Sequence, residues 1–250
     1  MSKTDLIFSG MVFETFIIII AIIVLVLAFL KLKEKKQKLT FYLFIIFLFM
    51  TISIIFTWLS KVLQLYSGLD YLVDDLVPDP ETITSWFLLR ITEFRFSFVF
   101  LMIAIFFSYI LKVNLFAKGY NNLHRIIVIL YGTIGIGYIF FVFFKGELLF
   151  DLIAFLIVSF YMFVIYFPFM KSCFSASKAV EQSVYKRAFY SLVVMGLSFI
   201  LILVCQSIDR ILIIVLDIFG YTPFYFAGWT FAIIALIGAY LGYIRPKSKE

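Results

Sequence analysis

Arg90, Glu93 and Arg95 stand in the first half of a stretch, residues 82–112, that is otherwise apolar enough to cross a bilayer. A charge in hydrocarbon costs roughly 2.5–3.5 kcal/mol on insertion scales, so these side chains are expected to face partners or water. Arg90 and Glu93 are three apart, on one helix face, and are predicted to pair. A buried arginine receives an anionic or polar ligand well, and the same trio suits the wall of a permeation path. The third use of such residues is a polar network that fixes helix registry.

Glu14, in the first apolar run, is the natural counterpart of Arg95. Residues 15–30 separate Glu14 from Lys31, and residues 96–111 separate Arg95 from Lys112, runs of equal length. At 1.5 Å per residue both charges sit ~24–25 Å from the basic flank, in one layer of a ~30 Å core. An Arg95–Glu14 ion pair is therefore predicted. Lys61, Gln64, Asp151, Gln206, Asp209 and Arg210 come from other spans at or just beyond that level. The candidate layer, ligand-binding or structural, is Glu14, Arg90, Glu93, Arg95, Asp209 and Arg210. Thr51, Ser53, Thr57 and Ser60 scatter around the second span and define no single stripe.

Other chemistries find no support. Haem between helices needs paired axial ligands, and the sequence has one histidine, His124. No H-E-x-x-H, G-x-S-x-G, P-loop or dinucleotide-binding glycine pattern occurs. No catalytic residue, metal ligand or cofactor is expected. Cys173 and Cys205 fall near opposite ends of neighbouring spans, too far apart for a bridge.

The elements that must position these residues are helices in a membrane. The chain is 64% hydrophobic and 14% charged, against about 45–50% and about 25% in soluble domains. Apolar runs bounded by charges predict a single all-α domain of seven transmembrane helices, at about residues 6–30, 39–66, 82–111, 123–144, 148–170, 188–208 and 223–244. The first run precedes its positive cluster, so it reads as a membrane helix and not as a cleaved signal. Residues 209–221 are predicted to extend the sixth helix or to lie in the interface. Small residues at helix-contact spacing, Gly132, Gly135 and Gly137 in the fourth span and Gly228, Gly238 and Gly242 in the seventh, predict close packing.

Charge alternates between the connections. Lys31, Lys33, Lys35, Lys36, Lys38, Lys112, Lys118, Arg125, Lys171, Lys178, Lys186, Arg187, Arg245, Lys247 and Lys249 place fifteen of twenty-one basic residues on one side. The other side carries Asp5, Asp70, Asp74, Asp75, Asp79, Glu81, Glu147, Asp151, Asp209 and Asp217. Positive loops mark the cytoplasmic side, so the N-terminus is expected outside and the C-terminus inside a cell membrane. The net charge of +6 then belongs to membrane loops and not to nucleic-acid binding.

Seven spans with an external N-terminus resemble the topology of microbial rhodopsins and of G-protein-coupled receptors. The likeness is one of span count and orientation. Residues 222–244 hold no lysine for a retinal Schiff base and no Asn-Pro-x-x-Tyr. The third span ends Ser108-Tyr109-Ile110-Leu111-Lys112 in place of the receptors' acidic-Arg-aromatic motif. Multi-span input domains of microbial sensors share the topology as well. The expectation is a non-enzymatic sensor-like or receptor-like protein, with membrane lipid around it and a cytoplasmic signalling partner or anionic lipid at its basic loops. The alternative is a small transporter or channel using Glu14, Arg90, Glu93 and Arg95. A membrane enzyme comes third.

Overall fold

The computed structural model describes residues 2–73, 78, 81–116, 122–216 and 220–244. Asp74, Asp75, Asp79, Lys118, Asp217, Arg245, Lys247 and Lys249 lie outside the described residues, and with them part of the acidic 68–81 loop. Among the described residues the chain is helical without strands: α1 (Lys3–Lys35), α2 (Lys38–Tyr66), α3 (Ile83–Thr92), α4 (Arg95–Phe116), α5 (Asn122–Phe141), α6 (Leu148–Ala179), α7 (Ser183–Leu216) and α8 (Pro223–Ala239). A π turn, Tyr240–Ile244, continues α8. Seven of these helices, all but α3, are long and apolar enough to cross a membrane. Among the described residues the protein is all-helical, with the seven candidate membrane-spanning helices of a multi-pass membrane protein.

Local chemistry sets the helix ends. Ser2 and Asp5 close α1 with a reciprocal capping box, and Lys36 terminates it in the left-handed conformation at φ 48°. Thr82 and Ser85 form the same box on α3. Thr222 caps α8, with Pro223 in the first turn, where its missing N–H has no cost.

The predicted third span is two helices. α3 ends at Thr92, Phe94 takes φ +59°, and α4 begins at Arg95. A left-handed phenylalanine is unfavourable and persists only where packing holds it. α6 and α7 run about two turns beyond their predicted ends, and α7 absorbs residues 209–216 as an extension, one of the two expected outcomes.

Helices α1, α2, α4, α6, α7 and α8 pack in a closed ring, each against the next and α8 back on α1. α5 lies outside the ring against α4 and α6. Its outer face, including Leu123, Ile126, Leu130 and Ile134, is exposed, as a lipid-facing surface is. The ring's core is apolar, with Ile17, Ala28, Met102, Ile105, Val158, Ile165 and Ala235 excluded from solvent.

Glycines mark the closest approaches. A Cβ at Gly238 would come within 2.9 Å of the Ser191 carbonyl oxygen and 3.2 Å of the Met195 backbone nitrogen. Backbone cannot move aside as a side chain can. Gly238→Ala is therefore expected to destabilise by about 1–3 kcal/mol. Gly132 and Gly135 likewise face Tyr161, Met102 and Ile157, but Gly137 has nothing within 4 Å, contrary to its predicted contact role. Gly137→Ala is expected to be neutral or stabilising by up to about 1 kcal/mol. Thermal unfolding of both variants in one detergent checks the contrast.

Candidate functional site

The ring encloses a cavity of about 370 Å³ that reaches inward from the end of the bundle bearing the N-terminus. Its mouth carries Lys3, Glu93, Lys145, Asp209 and Arg210, with Gln64 and Gln206 beside them. Its floor is Leu101, Phe155, Val158, Met162, Leu203 and Leu236. Between the two lies a ring of hydroxyls that satisfy one another. Ser53 Oγ donates to the Ser97 carbonyl at 2.9 Å, and the Ser97 hydroxyl meets those of Ser53 at 2.9 Å and Thr57 at 2.8 Å.

The break between α3 and α4 builds one wall. It puts Glu93 and Phe94 on the cavity. The Phe94 ring then lies 5.1 Å from Lys61 Nζ and 5.7 Å from the Arg210 guanidinium carbon. Cations over an aromatic face are attracted by its quadrupole. A continuous helix through this point would not present Phe94 in this way.

The charged layer exists, but its pairs differ from those predicted. Glu14 does not meet Arg95. Glu14 Oε1 accepts from Lys61 Nζ at 2.9 Å and from the Tyr225 hydroxyl at 2.5 Å, and both members of the ion pair are fully buried. Arg95 Nη2 donates instead to Asp151 Oδ1. Arg95 is also fully buried, and its Nε and Nη1 have no hydrogen-bond partner among the described residues. Arg90 does not pair with Glu93, which caps the end of α3 and lines the cavity. Its Nε donates to the Phe140 carbonyl at 3.0 Å, and its guanidinium stacks 3.7 Å over Trp86. Arg90 and Arg95 both face the Phe143 ring, at 5.1 and 5.5 Å.

Asp209 is used structurally. Its Oδ1 accepts from the Thr222 backbone N–H at 2.9 Å and the Thr222 hydroxyl at 2.6 Å, fixing the start of α8. The side chains of Glu93 and Arg210 line the cavity, with no side-chain hydrogen bond to another described residue. Glu93 lies within electrostatic range of Arg210, Lys145, Arg95 and Asp151. Of the six candidate residues, then, Glu93, Asp209 and Arg210 line the cavity, while Glu14 and Arg95 sit behind its wall in ion pairs. Arg90 ties α3 to α5.

Sequence reasoning missed Ser97, Phe94, Tyr225 and Trp229. Tyr225 and Trp229 were legible in principle, being four apart with polar tips in an otherwise apolar span, a spacing that places both on one face. Among the described residues, no three His, Cys, Asp or Glu side chains converge as a metal site requires. The two cysteines are free and buried.

Two lysines hold a cap over the mouth. Lys3 Nζ donates to the Val73 carbonyl at 3.1 Å, and Lys145 Nζ to the Tyr71 carbonyl. Between those carbonyls Leu72 turns inward, 4% exposed, and lines the cavity. Lys145→Ala is expected to loosen this short turn. Amide exchange at Leu72 and Val73, whose N–H groups bond to Leu69 and Asp70, should then rise several-fold while the amides of α7 keep their protection.

No family model, curated protein or solved structure matches this chain.

Proposed function

We propose that the protein is a non-enzymatic, receptor-like or sensor-like membrane protein that holds a ligand in a blind cavity open toward the outer side of the membrane. The observation that carries this reading is how the cavity ends. Its volume of about 370 Å³ lies in the range of small-ligand pockets. The next space along the bundle is only about 10 Å³ and is walled by Leu43, Ile46, Leu111, Ile165, Tyr166 and Tyr243. An open channel needs a polar continuation past the binding layer, and here the space closes on apolar side chains and on Ser108 and Tyr166, whose hydroxyls bond each other at 2.9 Å. The wide cavity, with the side chains of Glu93 and Arg210 unbonded to other described residues at its mouth, is what a binding site needs. At the opposite end Lys33, Lys35, Lys36, Lys38, Lys171, Lys178, Lys186 and Arg187 form a basic face suited to anionic lipid or an acidic cytoplasmic partner.

Single cysteines at Gln206 and Lys35, in a background lacking the native two, test the reading in oriented vesicles with a membrane-impermeant thiol reagent. Cysteine at Gln206 should react only from the side of the N-terminus, and cysteine at Lys35 only from the opposite side. Reaction of the Gln206 position from both sides would replace the receptor-like reading with transport.

A further inference from the structure

The shape and lining of the cavity point to a class of ligand. Along α2 the lining extends from Gln64 to Met50, and along α7 from Ile213 to Phe199. At 1.5 Å per residue each stretch is ~21 Å long. The lining follows the bundle lengthwise as a slot.

Polarity changes along that slot. Arg210, Gln206 and Glu93 sit at the mouth, and Leu101, Leu203 and Leu236 at the floor. A small polar solute would leave the floor unmatched. A wholly apolar one would leave polar groups at the mouth desolvated without partners. One molecule with a polar head and a single apolar tail satisfies both ends.

The ion pairs decide the sign of the head. Lys61 neutralises Glu14, and Arg95 neutralises Asp151. Asp209 keeps its negative charge, its Oδ1 bonded by the neutral donors of Thr222. At the mouth this leaves Glu93 and Asp209 against Arg210, Lys3 and Lys145, one positive charge in excess. The Arg210 guanidinium has five N–H donors and no acceptor among the described residues, and its planar fork fits a carboxylate or phosphate.

Resting on the ligand-binding reading above, we infer that the cavity takes a single-chain amphiphile with an anionic head, seated with its head on Arg210 and Gln206 and its tail along Leu101, Leu203 and Leu236. A free fatty acid and a single-chain phosphate lipid share this chemistry.

The test is equilibrium binding of tritiated palmitate to the full-length protein in phosphatidylcholine nanodiscs. Competitors are hexadecyl phosphate, hexadecanol, hexadecyltrimethylammonium and inorganic phosphate. Palmitate should bind saturably, and unlabelled palmitate or hexadecyl phosphate should displace it at least about tenfold better than the alcohol or the cation, the worth of one charge-assisted hydrogen bond. Whichever of the two anions competes better identifies the source, carboxylate or phosphate. Arg210→Gln should weaken palmitate about tenfold and leave hexadecanol competition unchanged, which also shows that the variant is folded. Ala232→Phe, which fills the slot from α8, should weaken palmitate more than decanoate. The inference fails if the alcohol or the cation competes as well as the anions, if inorganic phosphate alone displaces palmitate, or if none of the amphiphiles binds saturably. One-sided labelling of the Gln206 position combined with any of these results would leave the blind cavity standing and remove only its anionic amphiphile.

Discussion

Lys61→Met is expected to destabilise the protein by about 3–5 kcal/mol, the usual consequence of leaving a buried charge without its partner. Glu14 and Lys61 are both at 0% exposure, so no water can replace the lost ammonium. Among the described residues Glu14 Oε2 already has no hydrogen-bond partner, and Oε1 would keep only the Tyr225 hydroxyl. Glu14→Gln should cost less. The ammonium it strands still donates to the Thr57 carbonyl at 3.2 Å and faces the rings of Phe94, Tyr221 and Tyr225 within 5.1–5.6 Å. Glu14→Gln combined with Lys61→Met removes both charges and should cost well below the sum of the singles, with a coupling on the order of 2–3 kcal/mol. Glu14→Gln combined with Arg95→Gln should be additive within about 0.5 kcal/mol, because Arg95 bonds elsewhere. Denaturation midpoints in mixed detergent micelles measure both cycles. Coupling in the second cycle and none in the first would restore the pairing that sequence depth alone suggests.

That contrast shows what the sequence reveals and what it hides. Depth is legible, because counting residues from a basic flank places Glu14 and Arg95 in one layer. Azimuth is not. Which residue Glu14 faces depends on the order of helices around the ring, and α1 packs on α2 and α8, away from α4 and α6. Seven apolar helices follow directly from composition and run length. The break at Phe94 does not, since residues 93–95 contain neither glycine nor proline and a long apolar run resumes directly after them. The predicted Arg90–Glu93 pair failed because Arg90 turns to the Phe140 carbonyl on α5 while Glu93, at the end of α3, lines the cavity. Ser53 and Thr57 looked scattered among four polar residues of the second span. They form a site only because Ser97, on a different helix, meets both.

The second large effect concerns the other ion pair, and its two halves should behave unequally. Arg95 is at 0% exposure, while Asp151 is 21% exposed. Asp151→Asn takes the charge from the solvated member and strands the buried one. The guanidinium already has Nε and Nη1 without partners among the described residues, so after the change only an amide oxygen faces it. A loss of about 2–4 kcal/mol is expected, somewhat below that of a fully buried pair because solvent reaches Asp151. Arg95→Met removes the same salt bridge but strands a carboxylate that water can reach, and puts an apolar chain of similar length into the space. Its cost should be about 1 kcal/mol or less. Arg95→Met with Asp151→Asn should resemble Arg95→Met alone. Equal losses from the two singles would place the energy in the salt bridge itself and not in desolvation of Arg95. The predicted asymmetry follows from Arg95 lying behind the cavity wall while Asp151 keeps contact with solvent.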